Sequence, residues 1–265
     1  AFTAEEMLQL KRISDPQVSP DGTRLAYVQT DVDLDRNTRT NRIHVMRLSD
    51  GVATIPFTGE RPRWSPDGKQ LAFVRASGNT ESQIWVTAFG SSVKEVTRFP
   101  TGVSGVTWSP DGKWMAFVSD VFPECSGNVV GDGACNEALL KKQAAVKTKA
   151  RLIDGLLFRH WVSWKDGRYS HLFIVPADGS AQPRDLTPGR ADVPPFSLGG
   201  PDDYAFSPDS KEIAFAKKTD KVEAIGTNSD VFTIDLSTPA ATAKQVTTNA
   251  GADGGPQYSP DGRYL

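Results

Sequence analysis

The chain has 265 residues, 38% of them hydrophobic and including 13 Phe and 6 Trp, which is enough apolar material for a sizeable core. Thirty Lys and Arg against 32 Asp and Glu leave a formal charge of -2, so there is no electrostatic footprint for nucleic acid and no polybasic patch for a membrane surface. No apolar run approaches the roughly 18 residues of a membrane span, and 18 Pro with 23 Gly argue for many turns rather than a helical bundle. A start at Ala1 without a charged-then-apolar leader is what a processed, exported protein presents, so a periplasmic or secreted location is expected.

The first predicted element is a short helix over Ala4 to Lys11, because Thr3 and Glu6 are spaced as a capping box and Phe2 with Met7 as a hydrophobic staple. A repeat follows. Ser19-Pro20-Asp21-Gly22 recurs as Ser65-Pro66-Asp67-Gly68, Ser109-Pro110-Asp111-Gly112, Ser207-Pro208-Asp209-Ser210 and Ser259-Pro260-Asp261-Gly262, at spacings of 46, 44, 98 and 52 residues. In each copy Pro presets φ, Asp can accept from nearby backbone N–H groups, and Gly takes the left-handed geometry that returns the chain. Ser210 in place of Gly predicts a turn that is strained or differently closed.

An apolar residue precedes each Ser (Val18, Trp64, Trp108, Phe206, Tyr258), and an apolar residue followed by Ala and an aromatic comes after the turn, as in Leu71-Ala72-Phe73. This reads as a hairpin whose second strand packs one face. Third strands are expected at Ile43-His44-Val45, Ile84-Trp85-Val86, Leu172-Phe173-Ile174 and Val231-Phe232-Thr233, and fourth strands at Thr54-Ile55, Glu95-Val96-Thr97, Asp185-Leu186-Thr187 and Gln245-Val246-Thr247. Four short strands at a period near 45 residues are the signature of a β-propeller blade. The expected fold is an all-β, incomplete β-propeller of four-stranded blades at about 15–59, 60–101, 102–190 and 202–250, with the start of another at 255–265. The repeated Ala is expected where neighbouring blades approach closely. The final Tyr264-Leu265 falls inside a second strand, and the expectation is a fragment of a longer protein.

From the Ser to the third strand the four units count 24, 19, 63 and 24 residues, so the third blade carries an insertion of about 40 residues, over 120–167. It holds a Gly-rich stretch from Gly127 to Gly133, a helical segment over Glu137 to Arg151, and Cys125 and Cys135. In an exported protein that cysteine pair reads as a local disulfide, in a cytosolic one as two thiols; the disulfide is expected. Gly131-Asp132-Gly133 is a weak anion-binding pattern without a strand before it.

Chemistry is sparse. There is no G-x-S-x-G, no H-E-x-x-H and no C-x-x-C, so no catalytic residue is assigned in this chain, and no metal or cofactor is expected. His44 and His171 read as strand histidines. The segment from Leu156 to Gly167 can be an alternating strand, with Phe158, His160 and Val162 on one face and Arg159, Trp161 and Ser163 on the other. Its concentration of Arg159, His160, Trp161 and Trp164 beside a rim insertion also suits gripping a peptide, and these four are the candidate substrate-binding residues.

The opening helix with Ser14-Asp15-Pro16-Gln17-Val18-Ser19-Pro20-Asp21-Gly22, and Phe158-Arg159-His160-Trp161 running into Ser170-His171-Leu172-Phe173, resemble the N-terminal propeller of the prolyl oligopeptidase family, in its dipeptidyl-peptidase 5 and acylaminoacyl-peptidase-like branch. Val162 stands where relatives carry Asp, so no acidic role is assigned there. The resemblance implies a following α/β-hydrolase domain with a Ser-Asp-His triad, a serine exopeptidase releasing dipeptides or acylated residues from peptide N-termini, and a propeller that gates and helps bind substrate. The partners so implied are short peptides and that hydrolase domain; a homodimer is a further option that the resemblance does not decide. The rival reading is a TolB-like periplasmic propeller that binds proteins without catalysis; it would place an α/β domain before its blades, whereas blade one here begins after a single short helix.

Overall fold

The computed structural model describes residues 2–54, 56–78, 81–89, 92–126, 133–148, 150–153, 155–156, 158–160, 163–196, 202–220, 222, 224–238 and 241–265. It divides into two compact units, residues 1–96 and 97–265.

In the first unit α1 (Ala4–Gln9) opens with the capping box: the Glu6 N–H donates to Thr3 Oγ1 at 3.2 Å and the Thr3 N–H to Glu6 Oε2 at 2.8 Å. The helix ends at Gln9, short of the expected Lys11, because Leu10 is already extended. Then come β1 (Arg12–Val18), β2 (Arg24–Asp33), β3 (Thr38–Arg47) and β4 (Phe57–Thr58), a four-stranded antiparallel meander. Its fourth strand lies three residues beyond the expected Thr54-Ile55; Ile55 is outside the described residues, and the Thr54 N–H still bonds Val45 O. A second meander is formed by β5 (Glu60–Trp64), β6 (Gln70–Ala76), β7 (Ser82–Ala88) and β8 (Lys94–Glu95). Trp64 joins the two sheets, since its indole N–H donates to Gln17 O at 2.9 Å while its ring sits in a cluster with Ala26, Ile43 and Phe73. Arg63 and Asp15 add an ion pair at 2.8 Å.

The second unit repeats the plan. Its first sheet contains β9 (Ser104–Trp108) and β10 (Trp114–Val121), then, after an insertion holding α2 (Gly133–Ala145), β11 (Arg159–His160) and β12 (Ser163–Trp164), it is completed by β13 (Tyr169–Pro176) and β14 (Arg184–Asp185). Its second sheet is β15 (Tyr204–Phe206), β16 (Glu212–Lys218), β17 (Ser229–Asp235) and β18 (Lys244–Gln245). Each sheet is an antiparallel meander, so the architecture is all-β and propeller-like, with four-stranded sheets as its blades. The central strands depart from simple alternation: Met115 to Ser119 and Ile213 to Ala216 are buried at every position, as befits strands covered on both faces. The repeated alanines, Ala26, Ala72, Ala116 and Ala214, have no exposed surface.

The recurring turn has a hub that the sequence pattern alone does not announce. In the third blade the Ser109 hydroxyl donates to Asp111 Oδ1 at 2.7 Å and accepts from the Trp114 N–H at 2.9 Å, while Asp111 accepts from the Lys113 N–H. All five copies share this arrangement. Hydrogen bonds from the Ser19 hydroxyl and from Thr23 hold the Asp21 carboxyl down at about 2. At Asp111 burial pushes upward and is outweighed by the bonds from Ser109 and Lys113, so its pKa is also lowered. Ser210 does adopt the left-handed conformation, at φ 62°, yet its turn closes like the others, through Ser210 N–H to Ser207 O at 2.9 Å. Its hydroxyl accepts the Asp111 N–H at 3.0 Å, a bond a glycine could not make.

Candidate functional site

The insertion leaves β10 through a single 3-10 turn, Pro123–Cys125. A disulfide between Cys125 and Cys135, with Cα atoms 5.6 Å apart, fastens the first turn of α2 to that point. Buried Asn136 adds a second anchor by accepting the Phe122 N–H at 3.0 Å. The helix starts earlier than the expected Glu137, at Gly133, and stops at Ala145 rather than at the expected Arg151. The early stop is consistent with the β-branched Val146 and Thr148, which are poorer helix formers than the Ala and Leu before them. Gly131 and Asp132 of the weak anion pattern lie outside the described residues.

The described residues of the segment from Leu156 to Gly167 do not make one alternating strand. Instead β11 and β12 pair with each other in antiparallel register, Arg159 opposite Trp164 and His160 opposite Ser163. The Lys165 N–H extends the ladder to Phe158 O at 3.1 Å. The hairpin therefore places Arg159 beside Trp164 across strands, which a single strand could not do. Trp161, the remaining candidate, and Val162 lie outside the described residues.

Trp164 is the centre of the cluster. Phe158 stacks on it with ring centroids 5.9 Å apart, and the guanidinium groups of Arg151 and Arg159 lie 4.1 and 5.4 Å from its centroid. Arg151 also pairs with Asp166 at 3.0 Å, and Gln143 of α2 donates to Asp166 O. A largely buried ion pair between Lys165 and Asp192 fixes the hairpin's foot, since Asp192 also accepts the Ser170 N–H of β13 at 2.7 Å. His160 stacks on Phe196 at 4.4 Å with the planes 5° apart. Burial lowers the His160 pKa, with Lys165 adding to the effect and Asp192 and Asp120 opposing it. Its Nε2 is buried without a hydrogen-bond partner among the described residues. Beside the hairpin opens a cavity of about 450 Å³, walled by Trp164, Phe158 and Leu156 and rimmed by Arg151, Arg168 and Arg190.

Of the four candidates, then, the structure gathers Arg159 and Trp164 directly and sets His160 on the same hairpin. Sequence reasoning missed Arg151, Phe196, Asp192 and the Lys165 pairing; the three partner residues stand apart in the chain from the segment they complete and carry no local motif.

The arrangement can bind, but among the described residues it presents no group placed for bond cleavage. His171 is the nearest approach to an acid–base pair, with Nδ1 2.8 Å from Asp185 Oδ2. Its Nε2, however, faces Gly189 O at 2.9 Å and the ring has no exposed surface, so it offers no free nitrogen to a nucleophile or substrate. It is a structural strand histidine. His44, also in a strand, is partly buried and stacks on Tyr27 at 5.1 Å. Among the described residues no group of three or more His, Cys, Asp or Glu is placed to hold a metal ion.

No family model matches the chain. Among curated proteins, dipeptidyl-peptidase 5 of Porphyromonas endodontalis is 30% identical over 275 residues, covering 100% of this chain and 38% of its own length. The chain thus spans well under half of that relative. Among solved structures, an acylaminoacyl peptidase of Pyrococcus horikoshii superposes with a TM-score of 0.64 at 18% identity, over 91% of this chain and 33% of that one. TolB of Acinetobacter baumannii superposes at 0.51 and 21% identity, over 96% and 47% respectively. Likeness at these identities shows the shared propeller fold. Because a dipeptidyl-peptidase 5 matches this chain from end to end, the chain is homologous to a portion of such peptidases, and the resemblance to the prolyl oligopeptidase family read from its sequence is borne out.

Proposed function

We propose that this chain is the propeller portion of an exported serine exopeptidase that releases dipeptides, or acylated residues, from peptide N-termini. In this reading the triad belongs to an α/β-hydrolase domain elsewhere in the longer protein, and the propeller admits short peptides and helps to hold them. The observation that carries the reading is the hairpin of the third blade, where Trp164 is flanked by Phe158 and two guanidinium groups beside an open cavity. Rigid aromatic area with adjacent cations suits an extended peptide, whose backbone offers carbonyl oxygens and whose side chains offer apolar surface. Arg159, His160 and Trp164 are the proposed contacts. The disulfide supports an oxidising compartment, periplasmic or extracellular. A TolB-like role has less support, because the curated relatives bear peptidase names and the TolB superposition is the poorer one.

The test is hydrolysis by the longer protein of chromogenic dipeptidyl and N-acyl-aminoacyl substrates, with and without an active-serine reagent. Hydrolysis abolished by the reagent is expected; a well-folded protein that cleaves neither class contradicts the proposal.

A further inference from the structure

The cavity beside the hairpin has a second property that peptide gripping by aromatics does not use. Four cationic side chains line it, Arg151, Lys165, Arg168 and Arg190, against two carboxylates, Asp166 and Asp192. The carboxylates are already committed, Asp166 to Arg151 and Asp192 to Lys165. Arg168 spends one N–H on Lys165 O at 3.3 Å, and Arg190 is exposed with no hydrogen bond or ion pair among the described residues. Two guanidinium groups thus line the cavity without a counter-charge among those residues. Their forked N–H donors match a carboxylate in a way that a single ammonium does not.

The cavity also has an open apolar lining. Leu152 is 97% exposed and Leu156 67% exposed, close in sequence to Phe158 and lining the same cavity. Leucines held this far into solvent beside a concave surface mark a place where an apolar group is received. A ligand that satisfies both linings carries a carboxylate and a bulky apolar side chain a few ångströms apart.

We infer that this cavity is a carboxylate subsite for peptides, in which Arg190 and Arg168 bind a carboxylate while Leu152, Leu156 and Trp164 receive a neighbouring apolar side chain. The inference rests on the peptide-binding reading given above and specifies which end or side chain of the peptide the propeller recognises. Two sources offer the same chemistry, the free C-terminal carboxylate of a short peptide and an internal Asp or Glu. A C-terminal carboxylate would make the site a measure of length, favouring peptides that end within reach of the propeller.

The test uses the longer protein and tetrapeptides made resistant to cleavage by N-methylation of the bond after the second residue. Binding is followed by calorimetry for Ala-Ala-Ala-Leu as the free acid, the same peptide as its C-terminal amide, and the amide of Ala-Ala-Glu-Leu. The free acid should bind about tenfold more tightly than the neutral amide. If an internal carboxylate is the natural ligand, the Glu-containing amide gains instead. In Arg190→Ala and Arg168→Ala, both with unchanged melting temperature, the gain should shrink at least fivefold while neutral-amide affinity stays within twofold. Equal affinity for all three peptides overturns the inference, as does a carboxylate preference that survives both substitutions. A protein that cleaves ordinary peptides but shows no such preference refutes this subsite alone. One that shows the preference but cleaves nothing refutes the peptidase reading and leaves the subsite standing.

Discussion

The third and fourth blades are built on one plan and put it to different uses. Both stack a buried central strand between neighbours, with Phe117 and Phe173 in one and Phe215 and Phe232 in the other meeting as parallel rings 5.4 and 6.0 Å apart. In the fourth blade only the ten residues 219–228 separate β16 from β17. In the third the corresponding connection, β10 to β13, leaves the sheet, is clamped by a disulfide, forms α2 and the β11–β12 hairpin, and rejoins at β13, where buried Asp192 from beyond β14 pairs with Lys165 and accepts the Ser170 N–H. The lesson is a division of labour: burial and register stabilise the sheet, and the excursion, free of that duty, carries aromatics and cations where a ligand can reach them.

That division can be broken at either end, and the sheet gives the largest effect. Phe215→Ala removes a ring that is 1% exposed in the core of the second unit and should cost about 3 to 5 kcal/mol, read from urea denaturation. A cost below about 1 kcal/mol would mean that the sheet core does not carry the stability assigned to it.

The disulfide comes next. Replacing Cys125 and Cys135 by Ser should release a constraint of roughly 3 kcal/mol at most for so short a loop, and the loss should be local. Hydrogen exchange in α2 should accelerate while the amides of β10 and β13 keep their protection. Equal acceleration in both would show the excursion and the sheet to be one cooperative unit.

The turn at Ser210 sharpens the comparison with the smallest effect. Ser210→Gly relieves a left-handed conformation worth about 1 kcal/mol and loses the bond from the Asp111 N–H worth about the same, so stability should change by less than about 0.5 kcal/mol. Gly112→Ser, at φ 71°, has strain to add and should destabilise by about 1 kcal/mol. Urea denaturation of both variants checks the pair, and a gain of about 1 kcal/mol in Ser210→Gly, the mirror image of the Gly112→Ser loss, would remove the role given to the Ser210 hydroxyl.

What could be read in the sequence follows the same division. Third strands form at the expected Ile43, Ile84, Leu172 and Val231, the third displaced by the insertion, because each must pair with a strand fixed by its own Ser-Pro-Asp turn. The capping box was legible because both of its partners, Thr3 and Glu6, lie within one helical turn. The hairpin was not: residues 156–163 carry no turn signal, and no Gly or Asn stands between His160 and Ser163 to mark a reversal. Its true determinants are Asp192 gripping Lys165 and Phe196 stacking on His160, contacts that close over long stretches of chain and leave no periodic trace. The serine hub of the turns was visible as a recurring letter within the repeat, but its role as both donor and acceptor depends on a backbone geometry that only the folded hairpin supplies.

The central claim is that the hairpin binds ligand while the sheet holds the fold, and Trp164→Ala in the longer protein tests it most directly through two readings on one sample. The account predicts that kcat/KM for peptides falls about tenfold or more, equivalent to at least roughly 1.4 kcal/mol of transition-state binding. The half-buried ring should cost about 2 kcal/mol of stability at most, well short of Phe215→Ala. Unchanged kcat/KM per folded molecule, with a stability loss as large as that of Phe215→Ala, would contradict it.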